Sequence, residues 1–152
     1  MSRRTPLTLV LCSVAVAIAA CGDDTDDVNA DELVSRGDEI CSEGRERFAE
    51  IQEEAPQSAD EALEQTEELV EASSDELDEL RRLRPPEELR DRYERYLTAR
   101  SDALALLERG RDAAADGDAG AYADAQTELE AGRKARARLA RAVGFRDCSD
   151  GA

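Results

Sequence analysis

Residues 29–56, NADELVSRGDEICSEGRERFAEIQEEAP, settle the fold class. Asn29 is followed three residues later by Glu32, the local signature of a helix start. Leu33, Gly37, Ile40, Gly44, Phe48, Ile51 and Ala55 then recur at spacings of three and four. That spacing draws one stripe down a helix, with charged residues on the remaining faces. A start nearer Ser35–Asp38 fits the same pattern. Gly37 and Gly44 lie on the stripe, which lowers helix propensity but lets another element approach the backbone. Pro56 is the expected end.

Toward the C-terminus the pattern repeats. Ser58-Ala59-Asp60-Glu61 is a capping box. It opens a second stripe of Ala59, Ala62, Thr66, Leu69, Ser73, Leu77 and Leu80, flanked by Leu63, Val70 and Leu83. Ser73-Ser74-Asp75 is a candidate kink or restart. Pro85 stops this helix, because the residue before a proline avoids the helical region. Pro86 suits the first position of a third helix, with Glu87 and Glu88 at its positive end. The third stripe runs Leu89, Tyr93, Tyr96, Leu97, Ala103, Leu104, Leu107 and Ala114. Gly117 fits a left-handed cap and Asp118 the next N-cap. The fourth stripe is Tyr122, Ala125, Leu129, Gly132, Ala135, Leu139 and Val143; Gly144-Phe145 fits a Schellman ending with Phe145 folded back on Leu139. No alternating β-branched run occurs. The expectation is an all-α, antiparallel up-down-up-down four-helix bundle over residues 29–152, joined by short loops.

Composition agrees. The chain has 152 residues, 41% of them hydrophobic but only 3% aromatic, with no Trp and no His, so Leu, Val, Ile and Ala must build the core. Formal net charge is −17, which argues against nucleic acid as a partner because phosphates would be repelled. Residues 21–80 carry 23 acids and 3 bases, whereas residues 81–152 carry 14 acids and 15 bases.

Toward the N-terminus, Arg3 and Arg4 precede an apolar run from Leu7 to Ala20, the right length for a signal-peptide core and short for a membrane span. The run ends Ile18-Ala19-Ala20-Cys21. Here the chain resembles bacterial lipoproteins, whose lipobox is an aliphatic residue, two small residues and a cysteine. The resemblance covers about the first 22 residues. It implies that residues 1–20 are a cleaved signal peptide and that Cys21 is diacylated and becomes the new N-terminus. The alternative is an ordinary secretory signal with Cys21 as a later disulfide partner. Ser2-Arg3-Arg4-Thr5-Pro6-Leu7 also resembles a twin-arginine export signal, with Pro6 where that family prefers an aromatic or aliphatic residue. Residues 21–28 read as an acidic tether, too charged to bury and therefore expected to be disordered.

Four cysteines then partition. Cys12 leaves with the signal peptide, Cys21 takes lipid, and Cys41 and Cys148 remain near the two ends of the mature domain. An exported compartment is oxidising, so these two are expected to pair; the alternative is two free buried thiols. Closing a loop of that size contributes up to roughly 4.7 kcal/mol in the chain-entropy picture.

Catalytic chemistry finds little to work with. Without His the standard nucleophilic triads are absent, and no Gly-rich phosphate loop occurs. Acid pairs on helix faces read as solvated surface, and neither Asp24 onward nor Asp116 onward keeps the calcium-loop spacing. No metal site and no cofactor are expected. Arg100 breaks the pattern by sitting on the apolar stripe of the third helix. One reading gives it a carboxylate of the first or second helix, or a route to water; the other gives it an anionic ligand between helices, with Tyr93 or Tyr96 stacked on it. Arg133, Lys134, Arg136, Arg138 and Arg141 make the second half of the fourth helix basic. That half either complements the acidic first helix or meets anionic lipid headgroups.

The functional expectation is a lipid-anchored, non-enzymatic helical protein on the extracytoplasmic side of the cell membrane, serving as an envelope interaction or scaffold module with a protein partner. The alternative is a small-ligand or cation binder using an interhelical site near Arg100.

Overall fold

The structure, a computed structural model, describes residues 26–27 and 29–150. The expected signal peptide, Cys21 and most of the expected tether lie outside the described residues. The protein is a helical bundle. Its long helices are α1 (Ala30–Ile51), α2 (Ala59–Arg82), α3 (Arg90–Ala115) and α4 (Ala119–Val143). A short α5 (Asp147–Asp150) follows, and a 3-10 turn (Glu87–Leu89) leads into α3. Two-residue segments β1 (Asp26–Asp27) and β2 (Leu83–Arg84) pair in parallel. The expectation of an unstructured tether is thereby corrected at its Asp26–Asp27 pair, whose backbone finds partners beside the 83–84 link.

Local chemistry explains the helix limits. Asn29, Ser58 and Asp118 each accept a hydrogen bond from the backbone N–H three residues on, at 2.9, 3.2 and 3.0 Å. Each satisfies a donor that no helical carbonyl can reach. Glu61 also reaches back to the Gln57 N–H at 2.6 Å. The two ends at Gly117 and Gly144 are Schellman closures. Both glycines have positive φ, +69° and +117°. Asp118 N–H reaches Ala113 O, and Phe145 N–H reaches Ala140 O, the bond pattern that motif requires. α1 stops at Ile51, before Pro56, and α2 runs unbroken through Ser73-Ser74-Asp75. Pro86 caps the 3-10 turn instead of starting a helix directly.

α2 packs on α1 and α3, and α3 on α4, while α5 fills the space between α1 and α4. The main apolar cluster joins Leu33 and Cys41 of α1, Leu80 and Leu83, Tyr93 and Tyr96 of α3, Ala140 and Val143 of α4, and the C-terminal Phe145 and Cys148. Full burial of a Leu or Phe side chain is worth about 1.5–3 kcal/mol, so this cluster dominates cohesion. The buried row of α1 is Leu33, Gly37 and Cys41; Ile40 is only partly covered. In α4 the buried face contains Arg136, Ala137 and Ala140, whereas Ala135 is exposed. The inward stripe of α4 is thus one position out of phase with the expected one in its second half.

α1 is shaped to hold the end of the chain. The Phe145 ring occupies the space where a side chain at Gly37 would stand. Asp38 Oδ1 accepts from the Arg146 and Asp147 N–H groups at 2.9 and 3.0 Å, capping α5 from another helix. Cys41 is disulfide-bonded to Cys148, their Cα atoms 4.9 Å apart across 107 residues. Arg45 donates to the Asp147 carbonyl and carboxylate, both at 3.2 Å. Residues 37, 41 and 45 are one turn apart, so a single ridge of α1 carries most of the clasp.

Candidate functional site

The disulfide and its surroundings bring the singled-out residues together. Tyr93 and Tyr96 come from adjacent turns of α3 and flank Phe145 edge-on, with centroids 6.1 and 5.4 Å away. Such T-shaped contacts add about 0.5–1.5 kcal/mol to simple burial. The Tyr93 hydroxyl donates to the Leu80 carbonyl at 2.5 Å, meeting the need of a buried phenol. The Tyr96 hydroxyl lies 3.5 Å from Cys41 Sγ. A bonded sulfur carries no proton, so the phenol is the donor there. Burial, first of all, pushes both phenol pKa values well above the ordinary range; for Tyr96 the Arg100 charge pulls partly back. Both rings are core, and neither lines a cavity described below.

One turn beyond Tyr96, Arg100 Nη2 meets Glu76 Oε1 at 2.6 Å, the two side chains only 11% and 6% exposed. Glu76 enters from α2. A Cβ at Gly44 would stand 2.5 Å from its Oε2, so α1 leaves room for the carboxylate by having no side chain there. Burial outweighs the attraction of Arg100 and holds the Glu76 pKa above the usual carboxylate value. The carboxylate that Arg100 needs is therefore in α2.

Two cavities meet at Arg100. One, of 310 Å³, is walled by Cys41, Arg45, Phe48, Glu76, Arg100 and Arg133, among others. The other, of 270 Å³, is walled by residues of all four long helices, including Phe48, Leu69, Arg100, Leu129 and Arg136. Phe48, Gln52, Arg100 and Arg133 belong to both. Arg136 is itself buried and donates to the Leu129 carbonyl at 3.0 Å. It was not singled out as a site from the sequence, although 125, 129, 132, 136, 140 and 143 form an unbroken three-and-four stripe. Its charge argued against an inward position, and only tertiary structure shows the room made for it: a Cβ at Gly132 would meet Arg136 Nη1 at 2.6 Å.

The basic second half of α4 forms no ion pair with α1 among the described residues. Elsewhere, Arg47–Asp75 at 2.9 Å and Arg109–Glu128 at 2.8 Å are exposed cross-helix pairs, of a kind worth little. Among the described residues no group of three acids or thiols converges as metal ligands would, and no helix is long and apolar enough to cross a membrane. Cys21 lies outside the described residues. No protein-family model, curated protein or solved structure matches the chain.

Proposed function

We propose that the chain is an exported lipoprotein of the bacterial envelope. Residues 1–20 direct export and are removed, Cys21 carries the acyl anchor, and the domain beyond it stands on the extracytoplasmic side of the membrane. There its four long helices run up-down-up-down and act as a non-catalytic interaction module. The observation that carries this reading is the Cys41–Cys148 disulfide in the core. Such bonds form and persist in oxidising compartments, and the segment ahead of Cys21 has the composition of an export signal. Links of only a few residues between consecutive long helices support the alternating direction. The acidic surface of α1 and α2 suits a cationic or Arg/Lys-rich protein partner.

Mass spectrometry of the membrane fraction tests it. The expected species begins at Cys21 and bears the mass of attached acyl chains; Cys21→Ser is expected to accumulate as uncleaved precursor. An intact Met1 or a bare thiol at Cys21 in the native protein overturns the reading. Crosslinking of the anchored form in cells is expected to capture an envelope protein through residues of α1 or α2.

A further inference from the structure

The 270 Å³ cavity among α1, α2, α3 and α4 has one wall residue that the fold itself leaves unanswered. Arg136 is 8% exposed, and a buried guanidinium ordinarily has a carboxylate against it. Among the described residues Arg136 has none within ion-pair distance, and its protein hydrogen bonding there consists of the Leu129 carbonyl. A guanidinium carries five N–H donors, so most of its capacity is unused. Burial first, and Arg100 second, push the Arg136 pKa below its ordinary value. The pull of Glu130 relieves that positive charge only in part. Yet the seat is prepared, because Gly132 omits the side chain that would collide with Nη1.

Charge balance indicates what the cavity takes. Its cations are Arg100, Arg133 and Arg136. Glu76 pairs with Arg100 at 2.6 Å, and Glu130 pairs with Arg133 at 3.1 Å. One positive charge, that of Arg136, is left. The remaining wall is mixed: Phe48, Leu69, Ala103, Leu107 and Leu129 give it an apolar side, and Gln52, Ser73 and Gln126 a polar one. The volume falls just below the usual range of drug-sized ligand sites, about 300–1,000 Å³, which suits a ligand of few atoms.

We propose that this cavity binds a small monocarboxylate with an apolar body, the carboxylate held by the guanidinium fork of Arg136 and the body lying against Phe48, Leu69, Leu107 and Leu129. The planar fork matches a carboxylate in two parallel hydrogen bonds. A dianion would leave a charge uncompensated in a protein already at −17. The site rests on the folded domain alone, so it stands or falls separately from acylation of Cys21.

The test is titration of the intact protein, by calorimetry and thermal shift, with hexanoate, hexanol and inorganic phosphate. Hexanoate is expected to bind saturably and raise the melting temperature, with hexanol and phosphate at least about tenfold weaker. Arg136→Met is expected to lose at least about tenfold in hexanoate affinity, while its ligand-free melting temperature stays level or rises because an unpaired buried charge is gone. Gly132→Ala keeps every charge but crowds the guanidinium, and is expected to weaken hexanoate as well. Should Arg136→Met fail to fold, the Gly132→Ala arm decides alone. Hexanoate binding unchanged by these substitutions, phosphate binding as tight as hexanoate, or no saturable hexanoate binding at millimolar concentration each overturns the proposal.

Discussion

Around Cys148 the interior is filled by rings and a covalent bond; around the turn at Gly117 it is filled mainly by aliphatic side chains and a pair of hydroxyls. The first region holds Tyr93, Tyr96 and Phe145, three of the five aromatic residues in the chain, clasped to α1 by a disulfide, a cap and an ion pair. The second packs Leu69, Ala103, Leu107, Ala113 and Ala125. In it Thr66 donates to Ala62 O at 2.6 Å and lies 3.5 Å from the Tyr122 hydroxyl. Small residues let helices come close, but each buries little area. The contrast teaches that stability in this bundle is unevenly spread, and local opening follows such unevenness.

Breaking the disulfide gives the largest expected effect. Reduction, or Cys148→Ser, is expected to cost about 4–5 kcal/mol in denaturant unfolding, since the closed loop spans 107 residues. An unchanged midpoint in reductant would remove the main asymmetry between the regions. Phe145→Ala comes next, at about 4 kcal/mol, because a large ring that is 1% exposed leaves a cavity between two tyrosines. The matching truncation in the other region, Leu107→Ala, is expected to cost only about 2 kcal/mol. Equal losses would mean that the two interiors are equally well packed.

Arg100→Met tests the boundary between the regions and is expected to cost about 3 kcal/mol near neutral pH, because Glu76 is left buried without its partner. The sign with pH follows from the raised Glu76 pKa, whose first cause is burial. Protonated Glu76 suits the folded state. The contribution is therefore fully present below the ordinary carboxylate value of 4.5 and is lost as pH rises through the raised one. Removing Arg100 raises that pKa further, so the deficit of the variant should shrink as pH falls toward about 4. Denaturation of both proteins across that range checks it; a deficit independent of pH would assign the loss to packing. The smallest effect compares the two left-handed glycines. Gly117→Ala is expected to cost about 1 kcal/mol from backbone strain alone, as nothing stands within 4 Å of the added Cβ. Gly144→Ala should cost more, because Val34 Cγ2 lies 3.0 Å from its Cβ position.

What could be read from the sequence follows the range of the interaction. Asn29, Ser58, Asp118, Gly117 and Gly144 were legible because caps and Schellman turns depend on a few neighbouring residues. The pairing of Cys41 with Cys148 was legible because residues 29–152 contain only these two cysteines. Arg100 announced itself as a charge on an apolar stripe. Its partner Glu76 did not, because α2 presents acids on nearly every turn and only packing selects one. The phase of α4 was hidden for a related reason: alanines at 131, 135, 137, 140 and 142 allow several faces to be inward. Tyr93 and Tyr96 were read as ligand-stacking candidates beside Arg100. Their actual neighbour, Phe145, lies about fifty residues away along the chain, beyond any local pattern.

The covalent link between α1 and α5 has a mechanical consequence for any pull applied to the two ends of the helical domain. Tension pulling on the N-terminal lead and on the last residues travels through Cys41 and Cys148 without loading the helices threaded between them. While oxidised, the stretch between Cys41 and Cys148 could not lengthen under such force, and the cavity at Arg136 would keep its shape under strain.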